Sequence, residues 1–72
     1  MAEHLNIALI KLKEVQEITT KSRASIYAGA KTGTFPSPVK VGPRASAWVK
    51  SEVLAWAHTQ VAASRGGVHH VA

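Results

Sequence analysis

The stretch SRASIYAGAKTGTFPSPVKVGPR, Ser22 to Arg44, decides how this chain folds. It carries Arg23, Lys31, Lys40 and Arg44 and no acidic residue. Ser22 has the chemistry of an N-cap, because its hydroxyl can accept from the backbone N–H of Ala24 or Ser25. Behind it Ile26 and Ala30 fall on one helical face, with Tyr27 alongside. Gly33 supplies the residue that closes such a helix. Gly29 weighs against it, since an internal glycine costs up to about 1 kcal/mol relative to alanine. Phe35-Pro36-Ser37-Pro38 cannot be helical, because each proline lacks a donor and restricts the residue before it. Val39-Lys40-Val41 then alternates, Gly42-Pro43-Arg44 turns, and Ala45 to Trp48 can return, which describes a hairpin with a basic tip.

Upstream, Leu12, Val15 and Ile18 recur at helical spacing with Glu14, Gln16 and Glu17 between them, so Lys13 to Thr19 is expected as a short amphipathic helix. Thr19-Thr20-Lys21 breaks that pattern. Asn6 to Leu12 is a short apolar lead-in or strand. Downstream of Ser51 the period is helical again, with Val53, Trp56, Ala57 and Val61 on one face and Glu52 suited to the N-terminal end of the dipole. Arg65-Gly66-Gly67 is expected to end this helix. The elements come in the order strand, helix, turn, helix, hairpin, helix: a mainly α chain with a small β-hairpin, a winged helix-turn-helix. Residues 1–10 form the lead-in, 11–64 the domain, and 65–72 a flexible tail.

Composition narrows the function. The 72 residues include nine Lys and Arg against four acids, for a formal charge of +5, with no cysteine. The acids are Glu3, Glu14, Glu17 and Glu52, so Lys21, Arg23, Lys31, Lys40, Arg44 and Lys50 lie in an acid-free middle. A polyanion is the natural partner of such a field. Disulfides and thiolate metal sites are excluded. No apolar run approaches the roughly 20 residues of a membrane span, and no leader is apparent, so a cytoplasmic protein with no membrane partner is expected. His4, His58, His69 and His70 show no converging ligand spacing. Without aspartate or cysteine, and with no local Ser-His-acid pattern, neither a metal, a cofactor nor catalysis is expected.

Three motifs carry a family resemblance: Ser22-Arg23 with Ser25-Ile26-Tyr27, Gly33 with Phe35-Pro36 and Pro38-Val39-Lys40 and Gly42, and Ala47-Trp48 with Ser51-Glu52-Val53 and Trp56. Together they resemble the AlpA family of small phage and mobile-element regulators, relatives of the excisionases and of the winged-helix head of MerR-type proteins. The likeness runs from Lys11 to about Ser64. It implies a winged-helix DNA binder whose second helix enters the major groove while the hairpin lies along the neighbouring backbone or minor groove. Two departures stand out. The family usually places Thr-Gly in the turn, where this chain has Thr19-Thr20. After Tyr27 it commonly has a basic and then two apolar residues, where this chain has Ala28, Gly29 and Ala30.

On that reading Ser22, Arg23, Ala24 and Ser25 form the first turn of the recognition helix, the part that reaches base edges in helix-turn-helix docking. Arg23 suits a bidentate contact to guanine, or else a phosphate clamp or an ion pair with Glu14 or Glu17. Tyr27 can pack its ring while its hydroxyl reaches a phosphate, or else only pack at the core edge, and Lys31 lies one turn beyond. Lys21 in the turn, and Lys40 and Arg44 on the wing, complete the set, Arg44 being placed for a narrow minor groove or a phosphate. Phe35, Trp48 and Trp56 are expected in the core that joins hairpin to third helix, in preference to stacking on bases. The expected partner is double-stranded DNA, with a cognate integrase and cooperative, head-to-tail self-association on repeated sites as further expectations. The role is that of excisionase, transcriptional regulator, or both. The rival is a protein-binding adaptor or antirepressor that grips another regulator through the same fold.

Overall fold

The computed structural model describes the backbone of residues 7–69 and the side chains of residues 7–65. Along the chain come β1 (Leu9–Ile10), α1 (Leu12–Thr19), α2 (Arg23–Thr32), β2 (Val39–Gly42), β3 (Ala45–Val49) and α3 (Lys50–His69). The strands form an antiparallel sheet in the order β1-β3-β2. Leu9 faces Val49 and Ile10 faces Trp48 across one ladder, and Val39 faces Ala47 and Lys40 faces Ser46 across the other. A bulge at Val41 precedes the Gly42–Ala45 pair, so Pro43 and Arg44 form the tip. The fold is a winged helix-turn-helix: α1 and α2 are the helix-turn-helix, and the β2–β3 hairpin is the wing.

Every element except β2 sends a large apolar side chain inward. Ile10, Val15, Ile26, Phe35, Trp48 and Val53 are buried together, with Leu12, Ile18 and Trp56 packed against them. Full burial of such a side chain contributes roughly 1.5–3 kcal/mol, and a chain this small has few of them. Alternation along β3 explains the sorting. Trp48 turns to the helices, while Ala47 and Val49 turn to the other sheet face with Val39 and Leu9 as their cross-strand partners.

The link between α1 and α2 is built by threonine. The Thr19 hydroxyl is buried, donates to the Val15 carbonyl at 2.8 Å, and accepts from the Lys21 N–H at 3.2 Å. Thr20 follows at φ 61°, in the left-handed region, where its N–H closes α1 on the Gln16 carbonyl. That is the position where the family resemblance implies glycine. The chain accepts a β-branched residue in a conformation that costs about 1–2 kcal/mol.

Gly29 reverses its reading from sequence. A Cβ there would stand 2.8 Å from the Cβ of Phe35 and 3.3 Å from the Thr34 hydroxyl. The Gly29 carbonyl also accepts from the N–H groups of both Thr34 and Phe35, at 2.9 and 3.1 Å. The glycine is therefore what lets the chain fold back tightly beneath α2 and deliver Phe35 to the core. Gly33, at φ 84°, makes the reversal possible.

The third helix departs from expectation at three points. It starts at Lys50, whose N–H donates to the Ala8 carbonyl at 2.8 Å. It continues through Arg65-Gly66-Gly67 to His69, so those residues do not end it. Val61, placed on the inward face by its spacing, is 47% exposed, because the body of the domain ends before it. The remaining positions assigned to the tail, from His70 on, lie outside the described residues, as does His4.

Candidate nucleic-acid interface

Burial along α2 separates its two sides. Ile26 is fully buried and Gly29 and Ala30 are half-buried, while Arg23, Ala24, Ser25, Tyr27, Ala28 and Lys31 are exposed. At 100° per residue, Arg23, Tyr27 and Lys31 make one outward ridge at four-residue spacing, with Ala24 and Ala28 beside it. The helix thus offers a small-residue floor flanked by two cations and a phenol. Such a surface can lie close to a groove, since alanine adds little bulk and can meet a thymine methyl. Ala28 was not among the sequence-derived candidates. Its place four residues after Ala24 is the signal that points to it.

Ser22 acts as the cap. Its Oγ accepts from the Ser25 N–H at 3.1 Å and lies the same distance from the Ser25 Oγ. The first turn of α2 contains no acid, so the positive end of its dipole is left for an external anion. Arg23 sits 5.8 Å from the Tyr27 ring centroid, a cation–π distance. Among the described residues the one ion pair is the exposed Lys50–Glu14 contact at 3.9 Å, so neither Glu14 nor Glu17 holds Arg23. That contact contributes little, as exposed pairs do.

Lys21 is placed differently from the other cations. Its ammonium lies 5.3 Å from the Trp56 ring centroid and 5.9 Å from that of Phe35. It is half-buried and braces the turn against α3. Lys40 and Arg44 are exposed on the wing, Arg44 in the two-residue tip after Pro43.

The joint between α2 and the wing is aromatic. Trp48 is fully buried, its Nε1–H donates to the Pro36 carbonyl at 3.1 Å, and its ring meets Tyr27 edge-on at 5.7 Å. Phe35 and Trp56 form a second edge-on pair at 5.0 Å, and the Trp56 Nε1–H donates to the Thr34 carbonyl at 3.1 Å. Both indoles are thus committed to packing and to capping the loop carbonyls, as the sequence reading expects for the core that joins hairpin to α3. What sequence reasoning missed is that Trp48 reaches α2 itself. Its fixed position on β3 sets the wing relative to Tyr27.

No group of three or more His, Cys, Asp or Glu side chains converges on a metal site among the described residues, and none of their helices is long and apolar enough to cross a membrane.

Residues 8–61 match the family described as Prophage CP4-57 regulatory protein (AlpA). Among curated proteins, the chain is similar to "Uncharacterized protein ORF88" of Enterobacteria phage P4, with 34% identity over 58 residues. The aligned part is 81% of this chain and 66% of that relative, so the chain spans just under two thirds of the relative's length. No solved structure matches.

Proposed function

This chain belongs to the AlpA family of phage and prophage regulatory proteins, and from that premise we propose that it is a sequence-specific double-stranded DNA-binding protein with no catalytic role. The observation that carries the reading is the outward face of α2, where Arg23, Tyr27 and Lys31 line up beside Ala24 and Ala28 with no acid on the helix. In this reading α2 enters the major groove and Arg23 reads a base edge. Tyr27, Lys31 and the α2 N-terminus with Ser22 and Ser25 hold phosphates. Lys40 and Arg44 carry the wing to the adjacent backbone or minor groove. Lys21 contributes charge from behind the turn.

The regulated process is recombination, transcription, or both. Bound next to an integrase, such a protein biases excision of a mobile element. Bound at a promoter, it sets transcription. Crosslinking the protein in its host and sequencing the recovered DNA tests the reading. Enrichment at an attachment site assigns the excisionase role, and enrichment at promoters assigns the regulator role. Absence of any enrichment refutes DNA binding. The protein-binding alternative, an adaptor or antirepressor, draws on the apolar outer face of the sheet, where Leu9, Val39 and Val41 are exposed. An Arg23→Ala, Lys31→Ala double variant on α2, away from that face, separates the two, since it cripples DNA binding and leaves an adaptor's partner bound.

A further inference from the structure

The second half of α3 has no counterpart in the DNA reading. From His58 to Arg65 every residue is exposed, more than two helical turns standing clear of the core. A helix of this length gains little stability from its own hydrogen bonds in water, and Gly66 and Gly67 within it weaken it further. Its sequence is unusual for a solvated surface. From Val53 to Ser64 there is no Asp, Glu, Lys or Arg, in a chain of net charge +5. Leu54 and Val61 are both exposed, and at seven-residue spacing they share a ridge with His58 and Arg65. Leu54 and His58 lie roughly a quarter-turn or more from the centre of the Val53–Trp56–Ala57 side that packs on the domain, and Val61 lies at the edge of that side, past the point where the domain ends.

We propose that this segment is a self-association surface, on which α3 of one copy pairs antiparallel with α3 of a second copy through Leu54, His58 and Val61. Charge selects the occupant. Two copies at +5 repel wherever cations meet, and the other apolar surface, the groove lined by Leu9, Leu12 and Val41, also carries Lys11 and Arg44. Between Leu54 and Val61 the ridge carries no Lys, Arg, Asp or Glu, and there a like-charged copy can approach. Charge selects the direction as well. Antiparallel pairing opposes the helix dipoles favourably and sends the two basic bodies to opposite ends of a contact about 18 Å long, whereas parallel pairing sets them side by side. The contact is closed and two-fold, unlike the head-to-tail contacts expected from sequence, and relates two α2 helices by a dyad. It goes beyond the DNA reading and is tested without DNA.

An interface this small forms a weak dimer, with dissociation in the range of roughly tens to hundreds of micromolar. Sedimentation equilibrium of the full chain from about 10 µM to about 1 mM should show the mass rising toward twice the monomer. Because Leu54, His58 and Val61 form no ion pair across the contact, added salt should tighten it by screening the repulsion between bodies, the opposite of its effect on DNA binding. The Leu54→Glu, Val61→Glu double variant, altered only at exposed positions, should keep the monomer's circular dichroism and weaken pairing at least tenfold. Direction is read with single cysteines in this cysteine-free chain. Ser51→Cys and Arg65→Cys proteins, mixed under mild oxidation, should cross-link to each other more than to themselves. A wild-type chain monomeric at about 1 mM, a double variant that dimerises equally, or cross-links confined to like pairs would each overturn the proposal.

Discussion

The Tyr27 ring on α2 meets the Trp48 indole on the wing strand edge-on, with ring centroids 5.7 Å apart and planes at 64°. One buried tryptophan therefore holds both parts of the proposed DNA-contacting surface, and its Nε1–H also ties the Pro36 carbonyl. Exposed cations belong to α2 and to the hairpin, but their relative placement depends on this contact.

Trp48→Phe keeps an aromatic core while removing the indole donor and part of the Tyr27 contact. It should cost about 2–3 kcal/mol, combining a lost hydrogen bond with a small cavity. Urea denaturation measures it. In the same background Arg44→Ala should lose less DNA affinity than it does in the parent chain, because a loosened wing no longer presents Arg44. Strict additivity of the two changes would refute the joint.

Gly29→Ala should destabilise the domain in spite of alanine's higher helix propensity. The gain in propensity is at most about 1 kcal/mol, whereas the new Cβ would stand 2.8 Å from the Phe35 Cβ, which must move away. A net loss of about 1–2 kcal/mol is expected, seen as a lower Tm. An unchanged or raised Tm would mean that the Phe35 loop gives way easily.

Thr20→Gly should act in the opposite direction. Relief of a left-handed β-branched residue recovers about 1–2 kcal/mol, offset in part by the larger entropy of glycine in the unfolded chain and by loss of the hydroxyl bond to the Thr19 carbonyl. A net gain of roughly 0.5–1 kcal/mol is expected, with DNA affinity unchanged. Equilibrium unfolding decides it.

Binding to DNA sites selected from a random pool should depend steeply on salt. With about five phosphates neutralised, log K falls against log salt with a slope of about −4.5. Arg44→Ala, or Lys40→Ala, should flatten the slope by about 0.9 and weaken all sequences alike. Arg23→Ala should instead cost about 1–3 kcal/mol on the selected site and relax the preference at one base pair. A slope near zero in the parent chain would remove the electrostatic basis of the reading.

The features legible in the sequence share one property: they depend on residues close together in the chain. The Ser22 cap, the Gly33 stop, the proline-broken loop and the turn at Gly42-Pro43-Arg44 follow from local rules that act over about one turn. Alternation and helical spacing chose most of the core, including Val15, Ile26 and Val53, and the gap in acids between Glu17 and Glu52 marked the basic middle of the chain. The structure alone decided what depends on distant partners. Gly29 appeared as a flaw until Phe35 was seen against it, and Lys21 as a surface charge until it was seen beside Trp56. Val61 has the spacing of a core residue, yet helical period says only which face a residue occupies. Whether anything stands opposite that face is set by where the rest of the domain ends, and here it ends before Val61.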